Sequence, residues 1–118
     1  MYAAGLSLVY YTKNPHLPTS EHHYRMIAII KKGTDEFVDW WLGGGTDLTP
    51  TYLNKPDCIL FHSTMKQVFE STIPGMYRKA KKTSDEYLRI EFRGENRGIG
   101  GVFYDDVKDR DARLLYKF

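Results

Sequence analysis

Apolar side chains in the N-terminal part of the chain occur in short runs ended by turn residues, a pattern typical of β-strands. Residues 4–11 are apolar, finish in β-favouring residues and are stopped by Lys-Asn-Pro, so they predict a buried strand followed by a turn. After a proline-bounded connector at residues 16–19, residues 23–32 predict a second strand and residues 36–42 a third.

The connections between these strands predict how they pair and where they end. Gly33-Thr34-Asp35 is a short turn sequence, which favours an antiparallel hairpin between the second and third strands. Three consecutive glycines at residues 43–45 free the backbone for unusual dihedrals, so they predict a sharp loop. Asp47 follows this loop, and its carboxylate is a candidate either for ligand contact or for a turn or helix cap.

Apolar residues recur at intervals of three and four after Pro56, which predicts a helix over residues 56–72. Its predicted inner face consists of Cys58, Phe61, Met65, Val68, Phe69 and Thr72. Pro74-Gly75 breaks this helix, and a second, more basic helix is predicted over residues 76–87.

The C-terminal part predicts two further strands, over residues 88–92 and 99–104, around a glycine-rich turn. This turn carries Arg93 and Arg97 and is either a structural hairpin or an anion-receiving loop. Residues 107–118 form a charge-rich tail of ambiguous structure. All 118 residues are predicted to form a single α+β domain, an antiparallel sheet flanked by helices.

The composition excludes several classes of function. The chain has 17 basic and 15 acidic residues, and a net charge of +2 gives no field that favours a polyanion such as nucleic acid. Cys58 is the only cysteine, which excludes an internal disulfide and favours packing over a nucleophilic role. The four histidines form no i, i+4 pair around a glutamate, so no zinc-protease site is expected, and no segment predicts a membrane span.

The polar residues of the second strand are sorted onto two faces by the period-two geometry of a strand. Glu21, His23 and Arg25 fall on one face, and His22 and Tyr24 fall on the other. The arginine on this strand either grips a ligand carboxylate bidentately or forms an ordinary ion pair at a sheet edge.

The most specific motif of the chain is the glycine-rich block WWLGGGTDLTPTYL at residues 40–53. Shorter motifs accompany it: SLV at 7–9, KNPHLPT at 13–19, YR at 24–25, FH at 61–62, DEY at 85–87 and RGENRGIGGVFYDD at 93–106. In this order the motifs resemble the oxygen-dependent coproporphyrinogen-III oxidases over most of residues 5–106.

The resemblance implies an enzyme of haem and porphyrin biosynthesis that oxidatively decarboxylates two propionates of coproporphyrinogen III, giving protoporphyrinogen IX. Molecular oxygen is the implied co-substrate, and no organic cofactor and no metal are expected. The implied fold is a larger antiparallel sheet flanked by helices, of which this chain would be an incomplete version with an exposed edge. The resemblance also implies a homodimer located in the cytoplasm or the mitochondrion.

The same resemblance assigns roles to individual residues. Asp47 matches the acidic residue that accepts the pyrrole N–H groups, and Arg25 matches the arginine that holds a propionate. Ser7 matches a serine that contacts the substrate, and His23 and Tyr24 fall within the substrate-binding motif of the second strand.

The chain departs from the family pattern at its histidines. Positions where the family has histidine are occupied by Tyr11, Glu21 and Phe92, and His62 is the aligned histidine that remains. Glu21 stands at the position of the family's proton donor and is therefore a candidate catalytic residue, with His23 on the same face as the alternative. The competing hypotheses are a catalytically impaired remnant that binds tetrapyrrole or pairs with a complete subunit, and a chain that does not fold alone.

Overall fold

The computed structural model describes residues 1–108, which form an antiparallel sheet with two helices. This confirms the predicted α+β class. The elements are strands β1 (Tyr2–Tyr10), β2 (Thr19–Ile30) and β3 (Phe37–Thr49), helices α1 (Lys55–Thr72) and α2 (Met76–Tyr87), and strands β4 (Arg89–Ile90), β5 (Glu95–Asn96) and β6 (Gly101–Val107). Of the tail predicted at residues 107–118, residues 109–118 lie outside the described residues.

The main sheet has the strand order β1-β2-β3-β6, and every neighbouring pair is antiparallel. The predicted hairpin between the second and third strands is confirmed. Gly33 adopts a left-handed φ of 82° in its turn, and the Lys31 N–H donates to the Glu36 carbonyl at 3.0 Å. β2 begins at Thr19, earlier than predicted, because its polar N-terminal half pairs with strands on both sides although it carries no apolar run.

The glycine triplet at residues 43–45 lies inside β3, so the prediction of a sharp loop is wrong. A Cβ atom on Gly44 would lie 2.8 Å from the carbonyl oxygen of His23, and one on Gly45 would lie 2.7 Å from that of Val102. β2 and β6 hydrogen-bond to β3 on its two sides. These backbone hydrogen bonds keep β3 extended through the three glycines, although the glycines have no side chains to pack. The glycines serve close approach rather than turning.

The helices confirm their predicted positions to within one residue, and Gly75 separates them with a left-handed φ of 78°. The core joins both helices to β3 and β6 through Leu42, Phe69, Met76, Ala80, Val102 and Tyr104. The rings of Phe69 and Tyr104 meet edge to face with their centroids 5.8 Å apart. The predicted inner face of α1 is confirmed, since all of its residues are buried or half-buried.

The segment between α2 and β6 differs from its prediction. The predicted strand at residues 88–92 is reduced to β4, which pairs with β5 outside the main sheet and is followed by a helical turn at Glu91–Arg93. Phe92 supplied the apolar signal for a longer strand, yet its side chain is exposed and packs into no core. β6 starts later than predicted, because the backbone of Ile99 and Gly100 hydrogen-bonds to Leu48 before the strand begins.

His62 ties three elements together. Its Nε2 lies 2.9 Å from the carbonyl oxygen of Ile99, and its Nδ1 lies 3.1 Å from the hydroxyl of Tyr77. A carbonyl can only accept, so in the neutral ring Nε2–H donates to Ile99 and Nδ1 accepts from the Tyr77 hydroxyl. Burial raises the pKa of Tyr77, which keeps this hydroxyl a donor. α1 is thereby fixed to α2 and to the segment that leads into β6.

Candidate functional site

The two faces of β2 carry different residues, as the period-two pattern predicts. Glu21 and Arg25 contact charged partners on one face, whereas His22 contacts Thr46 on the other, with Nδ1 and Oγ1 2.8 Å apart. We call the first of these the polar face. Its members, from the contacts and the strand register, are Ser7, Glu21, His23, Arg25, Asp47, Phe103 and Asp105.

Two carboxylates of the polar face share one guanidinium nitrogen. Glu21 and Asp47 lie directly opposite each other in the β2–β3 register, an arrangement that like charges do not favour. Arg97 Nη2 lies 2.9 Å from Glu21 Oε2 and 2.6 Å from Asp47 Oδ2, so the guanidinium offsets the repulsion. Asp47 is 7% exposed and lies within β3, which corrects its predicted place in a loop.

The turn before β6 therefore delivers a cation to the polar face, and Arg97 is the residue that does so. Arg93, the other arginine of this turn, pairs instead with Glu95 on the exposed β4–β5 hairpin. The sequence is compatible with a structural turn or with an anion-receiving one. The turn places Arg97 beside Asp47, which favours contact between the turn and the site.

A second ion pair on the polar face joins Arg25 to Asp105, with Nη2 and Oδ2 2.5 Å apart. The β3–β6 register shifts between Leu42 and Gly44, and Asp106 there has a left-handed φ of 56°, so β6 forms a bulge at this point. A bulge re-aims neighbouring side chains. Sequence reasoning missed Asp105, although its spacing of two from Phe103 places both residues on the same face of a strand.

His23 lies among these charges, and its ring centroid is 5.5 Å from that of Phe103. Burial lowers the pKa of His23 below its ordinary 6.5, and the Arg25 guanidinium lowers this pKa further. The carboxylates of Glu21 and Asp47 act in the opposite direction and do not reverse the shift. The imidazole is consequently neutral near pH 7, with one nitrogen that donates and one that accepts.

Five of the six residues predicted for the site share the polar face, and Tyr24 does not. Ser7 lies opposite His23 in β1, at the exposed edge of the sheet. Tyr24 points to the other face and lines a cavity of about 370 Å³ between the sheet and α1, where burial raises its pKa. A ligand on the polar face would therefore not touch the Tyr24 side chain.

The polar face combines a nearly buried carboxylate, two guanidinium groups and a neutral imidazole. This set suits a ligand with N–H donors at its centre and carboxylates at its rim. Within residues 1–108, no group of three or more His, Cys, Asp or Glu side chains is arranged to hold a metal ion. The helices of the same part of the chain are too short or too polar to cross a membrane.

Comparison with known proteins connects this chain to one enzyme family. The family model for coproporphyrinogen III oxidase matches residues 1–118. The chain belongs to the coproporphyrinogen III oxidase family. The resemblance drawn from the glycine-rich block and its accompanying motifs is thereby confirmed.

Relatives within the coproporphyrinogen oxidase family come from animals and plants. The mitochondrial oxygen-dependent coproporphyrinogen-III oxidase of Homo sapiens is 44% identical over 98% of this chain. The Drosophila melanogaster enzyme is 42% identical and the chloroplastic Glycine max enzyme 43% identical, each over 99% of this chain. The chain spans 25%, 30% and 31% of the length of these three relatives, respectively.

Proposed function

We propose that the polar face binds coproporphyrinogen III and that the chain takes part in its oxygen-dependent conversion to protoporphyrinogen IX. Each of two propionates would lose carbon dioxide, a proton and an electron pair to become a vinyl group, with molecular oxygen accepting the electrons. The proposal includes no organic cofactor. It assigns the chain to haem biosynthesis, in keeping with the names of its relatives.

The observation that carries this proposal is the Asp47 carboxylate, which is 7% exposed, pairs with Arg97 and shares one face of the sheet with Arg25. The pyrrole N–H groups of the substrate need an anionic acceptor, and its rim carboxylates need cations. Asp47 would accept the central N–H groups, and Arg25 would exchange its partner Asp105 for a propionate. That exchange is feasible because both members of the Arg25–Asp105 pair are more than one-third exposed.

Proton transfer in this proposal falls to His23 rather than to Glu21. Glu21 Oε2 is engaged by Arg97, whereas His23 presents a neutral imidazole whose pKa is lowered by burial. A neutral imidazole can accept a proton from the reacting carbon of a propionate side chain, or return a proton to the product. Ser7, opposite His23 in the register, would add a hydroxyl to the same region of the face.

Binding is tested by calorimetric titration of the 118-residue chain with coproporphyrinogen III under nitrogen. The Asp47→Asn variant keeps the shape of the side chain and removes its charge. We expect its affinity to fall roughly ten- to hundredfold, since hydrogen bonds to charged groups contribute about 1.5–3 kcal/mol.

The matched control is Asp39→Asn, which removes a carboxylate from the opposite end of the same strand, where Asp39 pairs with Lys108. This variant should bind as the wild type does. Equal affinities for all three proteins, or no binding by the wild type, would reject the polar face as the substrate site. Admission of oxygen to the wild-type complex then tests turnover through the appearance of protoporphyrinogen.

A second candidate is a tetrapyrrole-binding remnant without independent turnover. It is favoured by Tyr11 and Phe92, which stand at positions where the family has histidine and are 82% and 86% exposed. Binding without product formation would select this candidate. Co-elution of the chain with an added full-length relative in size-exclusion chromatography would indicate pairing with a complete subunit.

Two further parts of the proposal concern assembly and location. We propose a homodimer, for which the open edge of β1 offers a surface. The Homo sapiens relative is named as mitochondrial and the Glycine max relative as chloroplastic, and for this chain the proposed location is the cytoplasm or the mitochondrion. Fractionation of cells that express the tagged chain would test the location.

A further inference from the structure

Arg97 makes its side-chain hydrogen bonds to the described residues through a single nitrogen. Nη2 donates to both Glu21 and Asp47, whereas the buried Nε–H has no acceptor among residues 1–108. A guanidinium carries five N–H donors in a fixed plane. The two N–H groups of Nη1 therefore remain without an acceptor among residues 1–108 while the two carboxylates hold the guanidinium in place.

The shared nitrogen creates a conflict when a ligand reaches Asp47. Oδ2 of Asp47 already accepts from Arg97 at 2.6 Å, so pyrrole N–H groups that occupy the other lone pairs of this carboxylate would compete with Arg97 for its negative charge. Arg97 would then be held less strongly by its less exposed partner. A second anion is needed to keep the guanidinium in place.

We infer that Glu21 is a positioning residue that retains Arg97 on the polar face while Asp47 binds the N–H groups of the ligand. The inference rests on the proposed function and deepens it. Held by Glu21 through Nη2, Arg97 keeps its Nη1 donors for a rim carboxylate of the ligand. Arg25 and Arg97 then provide two cations on the same face of the sheet as the carboxylate of Asp47.

The charge of Glu21 is the property that matters for this role. Glu21 lies at 2.9 Å from Arg97 and is joined to it by an ion pair, which a neutral side chain of the same length cannot reproduce. Both members of this pair are about one-third or more exposed, so its contribution is modest. An effect of several-fold, rather than several orders of magnitude, is expected.

A double-mutant cycle between Glu21→Gln and Arg97→Gln tests the inference, with affinity for coproporphyrinogen III under nitrogen as the readout. Glu21→Gln alone should weaken binding about fivefold, the scale of one partly exposed ion pair. In the Arg97→Gln background the same change should produce no further loss, because no arginine remains to be held.

The control variant is Glu36→Gln, which removes the carboxylate of an ion pair with Lys31 in the exposed β2–β3 turn. It should leave affinity unchanged in either background. Urea unfolding of all variants confirms that the proteins compared are folded. Glu21→His, which restores the family's residue, should resemble Glu21→Gln above pH 7, because a neutral imidazole does not pair with a guanidinium.

The outcomes separate this inference from the function on which it rests. An equal loss on Glu21→Gln in both backgrounds would mean that Glu21 contacts the ligand itself, and an unchanged affinity in the single variant would mean that it has no role. Either result overturns the inference and leaves the proposed function standing. If the wild type does not bind, the proposed function fails and the inference fails with it.

Discussion

His23 is a residue of the polar face whose surroundings shift its pKa. It lies beside Phe103 and between residues of both charge signs, and burial is the largest cause of its lowered pKa. The folded protein therefore binds this proton less readily than the unfolded chain does. Protonation of His23 consequently opposes folding.

The free energy of unfolding should carry the signature of this shift. Above pH 6.5, the ordinary pKa of histidine, His23 is neutral in both states and does not reduce the free energy of unfolding. This free energy falls as the pH drops through 6.5 towards the lower pKa of His23 in the folded state. Urea unfolding followed by tryptophan fluorescence between about pH 5 and pH 8 measures the slope. His23→Asn should flatten the slope below pH 6.5 relative to the wild type.

The comparison requires a variant that also loses one histidine. His16→Asn serves this purpose, because His16 stacks on Tyr52 in an exposed connector away from the polar face. Its unfolding free energy should follow the wild-type pH dependence. If His16→Asn and His23→Asn flatten the slope equally, the proposed environment of His23 is wrong.

Individual site residues differ in how far the sequence predicts them. Glu21, His23 and Arg25 share a face because of period two, which is a local property of a strand. Arg97 and Asp105 lie on the same face, although they are 76 and 80 residues after Glu21 and Arg25, their respective partners in β2. No local pattern specifies a contact across that separation, so only the assembled sheet identifies these two residues.

At the scale of elements, His62 is the side chain on which the arrangement of the helices depends. It satisfies the Ile99 carbonyl and the Tyr77 hydroxyl together, and each would otherwise lose a partner. We expect His62→Phe to lower the free energy of unfolding by about 1–3 kcal/mol, the cost of leaving partly buried polar groups unpaired. Urea denaturation measures the loss.

The neighbouring Ser63 provides the control for this prediction. Its hydroxyl donates only to the Leu60 carbonyl of the same helix, and the side chain is exposed. Ser63→Ala should change stability by less than about 0.5 kcal/mol. A His62→Phe variant as stable as Ser63→Ala would show that the link between helices contributes little.

The elements also differ in predictability for physical reasons. α1 and α2 were predictable because the helical period and the Pro74-Gly75 break between the helices depend only on residues close together in the sequence. The glycine segment of β3 was not, because glycine has little strand preference of its own. Its place in the strand depends on the approach of β2 and β6, which the sequence does not reveal.

At the scale of the whole molecule, one edge of the main sheet is covered and the other is exposed. α2 packs along β6 at one edge, whereas β1 at the other edge is exposed throughout. Leu6 and Tyr10 of β1 are 58% and 56% exposed. An open strand with exposed apolar side chains is a surface for pairing with another strand.

We therefore expect the chain to associate through β1 in a concentration-dependent manner, measured by sedimentation velocity. Leu6→Lys should shift the population towards monomer, because lysine on an edge strand opposes strand pairing. Ile59→Lys on α1 is the control, since Ile59 is equally exposed, at 59%, on a different element. Association that responds equally to both changes would not be a property of the β1 edge.

The opposed carboxylates of Glu21 and Asp47 also affect the order in which the chain folds. The β2–β3 hairpin closes a short loop and brings these like charges together, whereas Arg97 comes from 50 positions beyond Asp47. Repulsion is therefore expected to build up before its counterion arrives. Stopped-flow refolding should therefore be faster for Glu21→Gln than for the wild type. The two carboxylates that prepare the polar face for a ligand would then also raise the kinetic barrier to folding of that face.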